Sequence, residues 1–446
     1  MKLRPTTRRW YSPGLGLKRW AALAGVAIAL IIIGLWSMVN NQTAKNLVVS
    51  FVNFLQRSIP DLSVGQGLIC VALGIVAVAF SVRHFSDQYS KITKGHSQLD
   101  AYLQDEMLAS GPKIVVIGGG TGLSTLLRGL KLYTKNLTAI VTVADDGGGS
   151  GRLRQDLGML PPGDIRSCLE ALANAEPLMA QLMHYRFPEG TLAGQSFGNL
   201  FLAALNGIMP SFDRAVESMS QVLAITGRVL PVTTADVQLE ATFENGASVV
   251  GESHIFRCKK EQDCRIRRVR LIPEHPRALP AAVEALEEAE VIVLAPGSLY
   301  TSIIPNLLVD GIVDAISASD SMKIYICNVM TESGETEGYT ASDHIQAIFN
   351  HSCPGLFNLC LVNSAPLPRL IAQHYAREGS IPVFCDERAC EHLGVEMIAR
   401  PICAVENQLI RHNPGHVAAE LMTLYRQRTI RVVEEDTGFV RNRMEK

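Results

Sequence analysis

One stretch, residues 113–166, constrains this chain more than any other. Residues 113–117 (KIVVI) form a short apolar run rich in β-branched side chains, the pattern of a strand buried within a parallel sheet. Gly118, Gly119, Gly120, Thr121 and Gly122 follow at once, and Leu123, Leu126, Leu127 and Leu130 then recur at helical spacing. A strand that breaks into glycines and restarts as a helix leaves bare N–H groups at a helix N-terminus. Those groups lack intrahelical partners and lie at the positive end of the dipole, so the geometry attracts phosphate. The turn is not a P-loop, because no Gly-Lys-Ser/Thr closes it. It also departs from the dinucleotide fingerprint, since the third glycine position, counted from Gly118, holds Leu123. An NAD-dependent dehydrogenase is the weakest enzymatic reading on that ground.

A second glycine cluster makes a bare structural turn less convincing. The apolar run 137–144 ends in Asp145, Asp146, Gly147, Gly148, Gly149, Ser150 and Gly151. Carboxylates at the carboxyl edge of a neighbouring parallel strand face the crevice where open α/β sheets bind ligands. They could accept hydrogen bonds from a ribose or hold Mg2+ with its waters; an Asp-Asp-Gly run standing alone reads as an ordinary surface turn. Downstream, Leu160-Pro-Pro leads to Gly163, Asp164 and Arg166, with Asp164 expected as the N-cap of a helix through Leu172. A cation in a first turn opposes the dipole, and an anionic ligand at the same mouth would explain Arg166. Asn199 either contacts a ligand or caps the apolar helix 200–205. A buried strand at 289–294 closes with Ala295, Pro296, Gly297 and Ser298, followed by Leu299, Tyr300, Thr301 and Ser302. This second turn could offer N–H and hydroxyl donors to a phosphate or sugar, or its hydroxyls could cap a helix that Pro305 interrupts. A further strand, 323–327, runs into Asn328 and Thr331.

From Lys113 onward strand and helix patterns alternate, the sign of a parallel sheet covered by helices. An antiparallel β insertion at about 232–270 is expected from alternating Val237, Leu239, Ala241 and Phe243 and the hairpin signal Asn245-Gly246. Arg265, Arg267, Arg268 and Arg270 at its end read as a charge-protected edge or as a contact for anionic lipid. A helix is expected at 216–223. His344 reads as a packing or capping residue. His412 and His416 have a spacing usable for metal but no accompanying ligands. The ten cysteines show no CxxC pair and read as reduced thiols, and the net charge of −2 gives no reason to expect nucleic-acid binding.

The N-terminal part has another character. Residues 1–19 carry six Lys and Arg and no acid, and residues 20–39 are apolar apart from Ser37. As a helix the latter extends ~30 Å, enough to cross a hydrocarbon core. A second span is expected at about 62–82. No small-residue cleavage site follows Val39, so a membrane hairpin is favoured over a cleaved signal peptide. Basic residues concentrate before the first span and after the second, at Arg83, Lys91 and Lys94, whereas the loop 40–61 has only Lys45 and Arg57. The positive-inside rule then puts both ends in the cytoplasm. A polar connector is expected over 83–110 and a charged, poorly ordered tail over 427–446.

Residues 113–166, with Ala295-Pro-Gly-Ser-Leu-Tyr-Thr-Ser302 and Cys327-Asn-Val-Met-Thr331, closely resemble the bacterial gluconeogenesis-factor family (YvcK, CofD-like). The resemblance extends from about Lys113 to about Leu424. It implies a Rossmann-like, doubly wound α/β domain over 111–426, related to 2-phospho-L-lactate transferase. It also implies UDP-sugar binding and a role in cell shape and envelope synthesis during gluconeogenic growth. The expected ligand-binding set is Gly118, Gly119, Gly120, Thr121, Gly122, Asp145, Asp146, Gly163, Asp164, Arg166, Asn199, Gly297, Ser298, Tyr300, Thr301, Asn328 and Thr331. In a transferase, which would release a nucleoside monophosphate, Asp145 and Asp146 would hold Mg2+ and Arg166 would assist. Expected partners are a nucleotide sugar, the membrane, envelope-synthesis proteins and a second copy of the chain. Two departures stand out: familiar members start almost at the first strand, and Asn413 follows Arg411-His412 where the family commonly has Asp.

Overall fold

The structure is a computed structural model that describes residues 105–444 other than 175, 176 and 263, together with residue 50. The expected spans at 20–39 and 62–82 lie outside the described residues, as does most of the connector, of which 105–109 are helical. Among the described residues no helix is long and apolar enough to cross a membrane.

In chain order the strands are β1 (Ile114–Gly118), β2 (Leu137–Val141), β3 (Arg228–Pro231), β4 (Gln238–Phe243), β5 (Ser248–Val250), β6 (Ile266–Ile272), β7 (Val291–Leu294), β8 (Met322–Ile326), β9 (Leu359–Asn363), β10 (Glu396–Arg400), β11 (Cys403–Glu406) and β12 (Leu409–His412). Seven of them form one sheet in the order β10-β9-β8-β7-β1-β2-β3, parallel throughout. The expected doubly wound parallel sheet is therefore present. The chain builds outward from β1 in one direction through β2 and β3, then returns to β7 and builds in the other. Between β1 and β7 the strand order reverses, and a crevice opens beyond their carboxyl ends.

β1 is central and buried along its whole length, which is why it reads as continuous apolar sequence rather than alternation. The helix Gly120–Leu130 buries Leu123, Leu126, Leu127 and Leu130, each contributing roughly 2 kcal/mol by leaving water. Its outer side meets the long helix Pro414–Met444. There Gly129 has no room for a side chain, since a Cβ would stand 2.1 Å from the Pro414 carbonyl oxygen. This helix continues over most of the expected charged tail, through Met444. Val417, Ala418, Leu421 and Met422 anchor its first half in the core, and propagation from a packed nucleus is far cheaper than nucleation.

The insertion is a three-stranded antiparallel sheet in the order β5-β4-β6. Asn245 and Gly246 turn its hairpin, Gly246 at φ +87°. Between β5 and β6 lies a helix, Glu252–Gln262, that the sequence did not announce; its residues are mostly polar and supply no apolar stripe. β6 is an edge strand, with Ile266, Val269 and Leu271 inward and Arg267, Arg268 and Arg270 exposed. Arg270 pairs with Glu240 and Glu274, and Arg265 lies over the Tyr339 ring. The expected helices at 216–223 and 200–205 are the longer Phe212–Val222 and Phe197–Ile208. The nine described cysteines are free.

Candidate functional site

The first glycine turn does what its sequence promises and also packs more tightly than its sequence tells. Gly119 is the extended N-cap of the helix Gly120–Leu130 and, being glycine, brings no capping side chain of its own. Gly120 takes φ +63°, a left-handed conformation that favours glycine. Gly122 serves a different end: a Cβ there would stand 1.9 Å from the Pro296 carbonyl oxygen. The helix therefore rests directly on the turn after β7. Gly118 likewise faces Ala295, at 3.0 Å from an added Cβ.

On the β2 side of this turn three carboxyl groups converge. A Cβ on Gly119 would lie 2.7 Å from Asp164 Oδ2, and the Gly120 N–H donates to that carboxylate. Asp164 is not the N-cap expected of it; Pro162 holds that place, and Asp164 sits inside the first turn of the helix Gly163–Leu172. Gly163 admits the neighbouring Asp145, whose Oδ2 lies 3.4 Å from an added Cβ. Asp145 Oδ1 accepts from the Gly147 N–H at 2.9 Å. The third group, Glu252, comes from the insertion helix and bonds to the Thr301 hydroxyl. Burial, then Asp145, pushes Asp164 up to about 6; burial, then Asp145, Asp146 and Asp164, pushes Glu252 to about 7. Asp145 is also raised, by burial first.

Asp146 turns away to another task. Its Oδ1 accepts from the Ser253 N–H at 2.8 Å, so it caps the insertion helix while its charge still bears on Asp145 and Glu252. Among the described residues no three His, Cys, Asp or Glu side chains gather in a metal-holding arrangement. Mg2+ often keeps its waters and leans on one or two carboxylates plus a ligand phosphate. The Asp145 region fits that mode, in which Asp145 would hold the ion together with its waters.

Arg166 and Asn199 form a pair beneath this cluster. Arg166 Nε donates to Asn199 Oδ1 at 2.8 Å, and its guanidinium also pairs with Glu170. A Cβ on Gly198 would lie 2.6 Å from Arg166 Cδ, so that glycine lets the arginine lie flat. Ser196, not Asn199, caps the helix Phe197–Ile208, accepting from the Asn199 N–H.

The second glycine turn differs from expectation. Gly297 is locked to Asn328 by a reciprocal amide pair: its N–H donates to Asn328 Oδ1 at 2.9 Å, and Asn328 Nδ2 donates back at 2.7 Å. Ser298 Oγ donates to Glu332. The Leu299 and Tyr300 N–H groups both donate to the buried Glu335 carboxyl group, at 2.9 and 3.1 Å. Burial and the neighbouring Glu332 hold Glu335 well above the usual carboxylate range. The positive end of this turn is thus already capped from within. Tyr300, expected among the ligand residues, is buried, and its hydroxyl meets Tyr339 Oη at 2.9 Å. Thr331 is likewise tied down, by reciprocal bonds with Ile381. His344 packs, as expected, its Nδ1 on the Thr340 carbonyl. His412 bonds the Cys327 carbonyl through Nε2, and burial lowers it to about 4.

Between the two turns, at the β1/β7 crevice, lies a cleft of ≈ 400 Å³. Gly119, Gly120, Thr121, Gly122, Gly297, Ser298, Asn328 and Thr331 all line it. Asp145, Asp164, Arg166, Asn199 and Thr301 do not; they belong to the acidic side of the first turn. The cleft also contains residues the sequence did not single out: Tyr375, Ser380 and Arg411. Arg411, at the end of β12, is exposed and forms no ion pair among the described residues. Its one sequence signal was a basic residue within the family-like Arg-His-Asn. Glu252 had no signal, because only the folded insertion brings it to Thr301.

The family model described as 2-phospho-L-lactate transferase CofD matches residues 114–403. The gluconeogenesis factor of Bacillus subtilis is 47% identical over 317 residues, covering 71% of this chain and 99% of that protein. A relative from Nostoc is 43% identical over 427 residues, covering 94% and 92%. The extended N-terminal part is therefore shared with some relatives, which revises the view that it sets this chain apart. A crystal structure of a Bacillus halodurans protein is 46% identical with TM-score 0.67, covering 70% of this chain and all of that one. With the switch-point cleft, the glycine turns and these matches in hand, the chain belongs to the CofD-like family that includes the gluconeogenesis factors.

Proposed function

We propose that this chain is a nucleotide-sugar-binding regulator of cell shape and envelope synthesis under gluconeogenic growth, with a UDP-sugar as its ligand. One observation carries the reading: the β1/β7 cleft joins the glycine-built N-terminus of the helix Gly120–Leu130 to Arg411, which forms no ion pair among the described residues. A pyrophosphate needs N–H donors and a cation at that spacing of elements, and the volume suits part of a nucleotide. The regulatory part of the reading rests on the family resemblance. The hairpin at 20–39 and 62–82 anchors the protein in the membrane with the α/β domain on the cytoplasmic side. Its partners there are envelope-synthesis proteins or a second copy of the chain, and not nucleic acid.

A second reading is a CofD-type transferase that moves a phosphoryl-linked group from a nucleoside diphosphate derivative and releases the nucleoside monophosphate. The convergence of Asp145, Asp164 and Glu252 beside the phosphate turn favours it. When bound, Mg2+ would supply charge neutralisation at the transferring phosphoryl group. The chain's own part is to hold Asp145 and Asp164 facing the turn and to orient the phosphates by backbone N–H groups.

Titration calorimetry of the purified chain with UDP-N-acetylglucosamine and Mg2+, followed by assay for released UMP with candidate acceptors, separates the two. Saturable heat without UMP is the result expected for a regulator, and turnover moves the assignment to the transferase. No heat with any nucleotide or nucleotide sugar ends both readings.

A further inference from the structure

Two neighbouring helices carry more apolar surface than the fold covers. From Phe197 to Met209 no residue is charged, yet in the helix Phe197–Ile208 only Gly198, Asn199 and Leu202 are buried. Phe197, Phe201, Ala204 and Ile208 recur at helical spacing and form a stripe that reaches water, Ile208 being 74% exposed. The helix Pro177–His184 packs beside it and buries only Met183. Leu178 on that helix is 76% exposed, and Leu182 and Tyr185 continue its open face. The two stripes meet where the Phe197 N–H donates to the Tyr185 carbonyl at 2.8 Å. Tyr185 packs edge-on against Phe187, and Phe197 stacks on Phe201, so the aromatic part of the face is held in place.

Single exposed leucines are ordinary, whereas a contiguous patch is not. With Leu192, Leu200 and Leu205, these side chains leave on the order of 700 Å² of apolar surface in water, more than the largest patch of a typical monomer. That approaches the roughly 800 Å² each partner supplies to a standard interface. Composition then chooses the occupant. A bilayer surface calls for Lys and Arg beside the apolar stripe, and neither helix contains one. Transient partners meet surfaces no more apolar than the average, while an uncharged core with aromatic residues and Met is the homodimer pattern. A patch that meets its own copy across a two-fold axis needs no second complementary surface.

We propose that the outer face of the helices Pro177–His184 and Phe197–Ile208 is the interface of a two-fold homodimer. The inner side of the second helix carries Asn199, whose Oδ1 accepts from Arg166 Nε at 2.8 Å. Each copy therefore braces, in the other, the element that positions Arg166.

The test is sedimentation equilibrium of the full chain in density-matched detergent, set against Leu178→Glu and Ile208→Glu. Both positions are exposed, so neither change is expected to disturb folding, and an unchanged urea midpoint checks this. Wild type is expected to dimerise with a Kd below about 10 µM. A charge enters a symmetric interface twice, so each variant is expected to raise that Kd about a hundred-fold or more. Amide exchange in the helix Phe197–Ile208 is expected to slow as wild-type concentration rises, and not on adding anionic vesicles. A wild type still monomeric at about 100 µM, whether its face is free or shielded by vesicles or another protein, overturns the interface. So does a dimer that both variants form equally well, because its contact then lies elsewhere in the chain.

Discussion

The two glycine turns that flank the cleft look alike in sequence and behave oppositely. Each is a buried strand, a glycine break, a hydroxyl residue and a helix start. After β1 the N-cap glycine brings no side chain, Asp164 takes the Gly120 N–H from the acidic side, and the turn still opens into the cleft. After β7 the Leu299 and Tyr300 N–H groups are consumed by Glu335, thirty-odd residues further on, and Ser298 is consumed by Glu332. A helix N-terminus attracts any anion in reach, including one of the chain's own. The lesson is that a turn of this kind is a binding site only where the fold leaves it unsatisfied. The second turn instead acts as a rigid wall, pinned on one side by Asn328 and on the other by the Gly122 contact.

That contrast can be broken at several points. The largest effect is expected at the contact between the turns. Gly122→Ala puts a Cβ 1.9 Å from a backbone carbonyl oxygen, and neither partner is a flexible side chain. Destabilisation of about 3 kcal/mol or more is expected, read as a shifted urea midpoint; a near-wild-type midpoint would mean that the turns are not braced together. Next comes Glu335→Ala, which strands two buried N–H groups. A loss of about 2 kcal/mol is expected, with partial recovery on adding inorganic phosphate as the second turn becomes an anion site. If phosphate brings no recovery, the two turns differ in more than capping.

A smaller effect tests the acidic side. Asp164 and Glu252 bind protons more readily in the folded chain, at about 6 and about 7, than in the unfolded one. Stability from this source is present at low pH and is lost as pH rises through those values. Acidifying the free protein from pH 8 to pH 5 should therefore stabilise wild type relative to Asp164→Asn, by about 1–2 kcal/mol in the difference between their unfolding curves. A constant gap between the two across that range would remove the cluster from the account. The smallest effect is expected at Asp146→Ala. Losing the cap on the helix Glu252–Gln262 costs about 1 kcal/mol, visible as faster amide exchange in that helix. A strong loss of UDP-sugar binding with normal exchange would return Asp146 to the ligand.

Much of this was legible beforehand where local chemistry decides. The β1 run, the leucine stripe at Leu123, Leu126, Leu127 and Leu130, and the Asn245-Gly246 hairpin each state their structure within a dozen residues. The helix Glu252–Gln262 was not legible, because it is held by Asp146 and by contacts across the insertion rather than by an apolar face. Asp164 was misread as a cap because Pro162 and Gly163 shift the helix start by two residues. The burial of Tyr300 was not legible either, because a hydroxyl after a glycine turn looks exposed until Tyr339 is packed onto it.

By itself the sequence determined the doubly wound sheet, the first phosphate-type turn and the family, since these follow from short-range periodicity, glycine geometry and motifs in order. Only the tertiary structure decided which turn stays open, which carboxylates meet, and that Arg411 stands at the cleft. Those outcomes depend on groups tens to hundreds of residues apart competing for the same N–H donors and the same buried space. No local pattern records who wins such a competition, because burial and hydrogen bonding are settled only when the strands have taken their order.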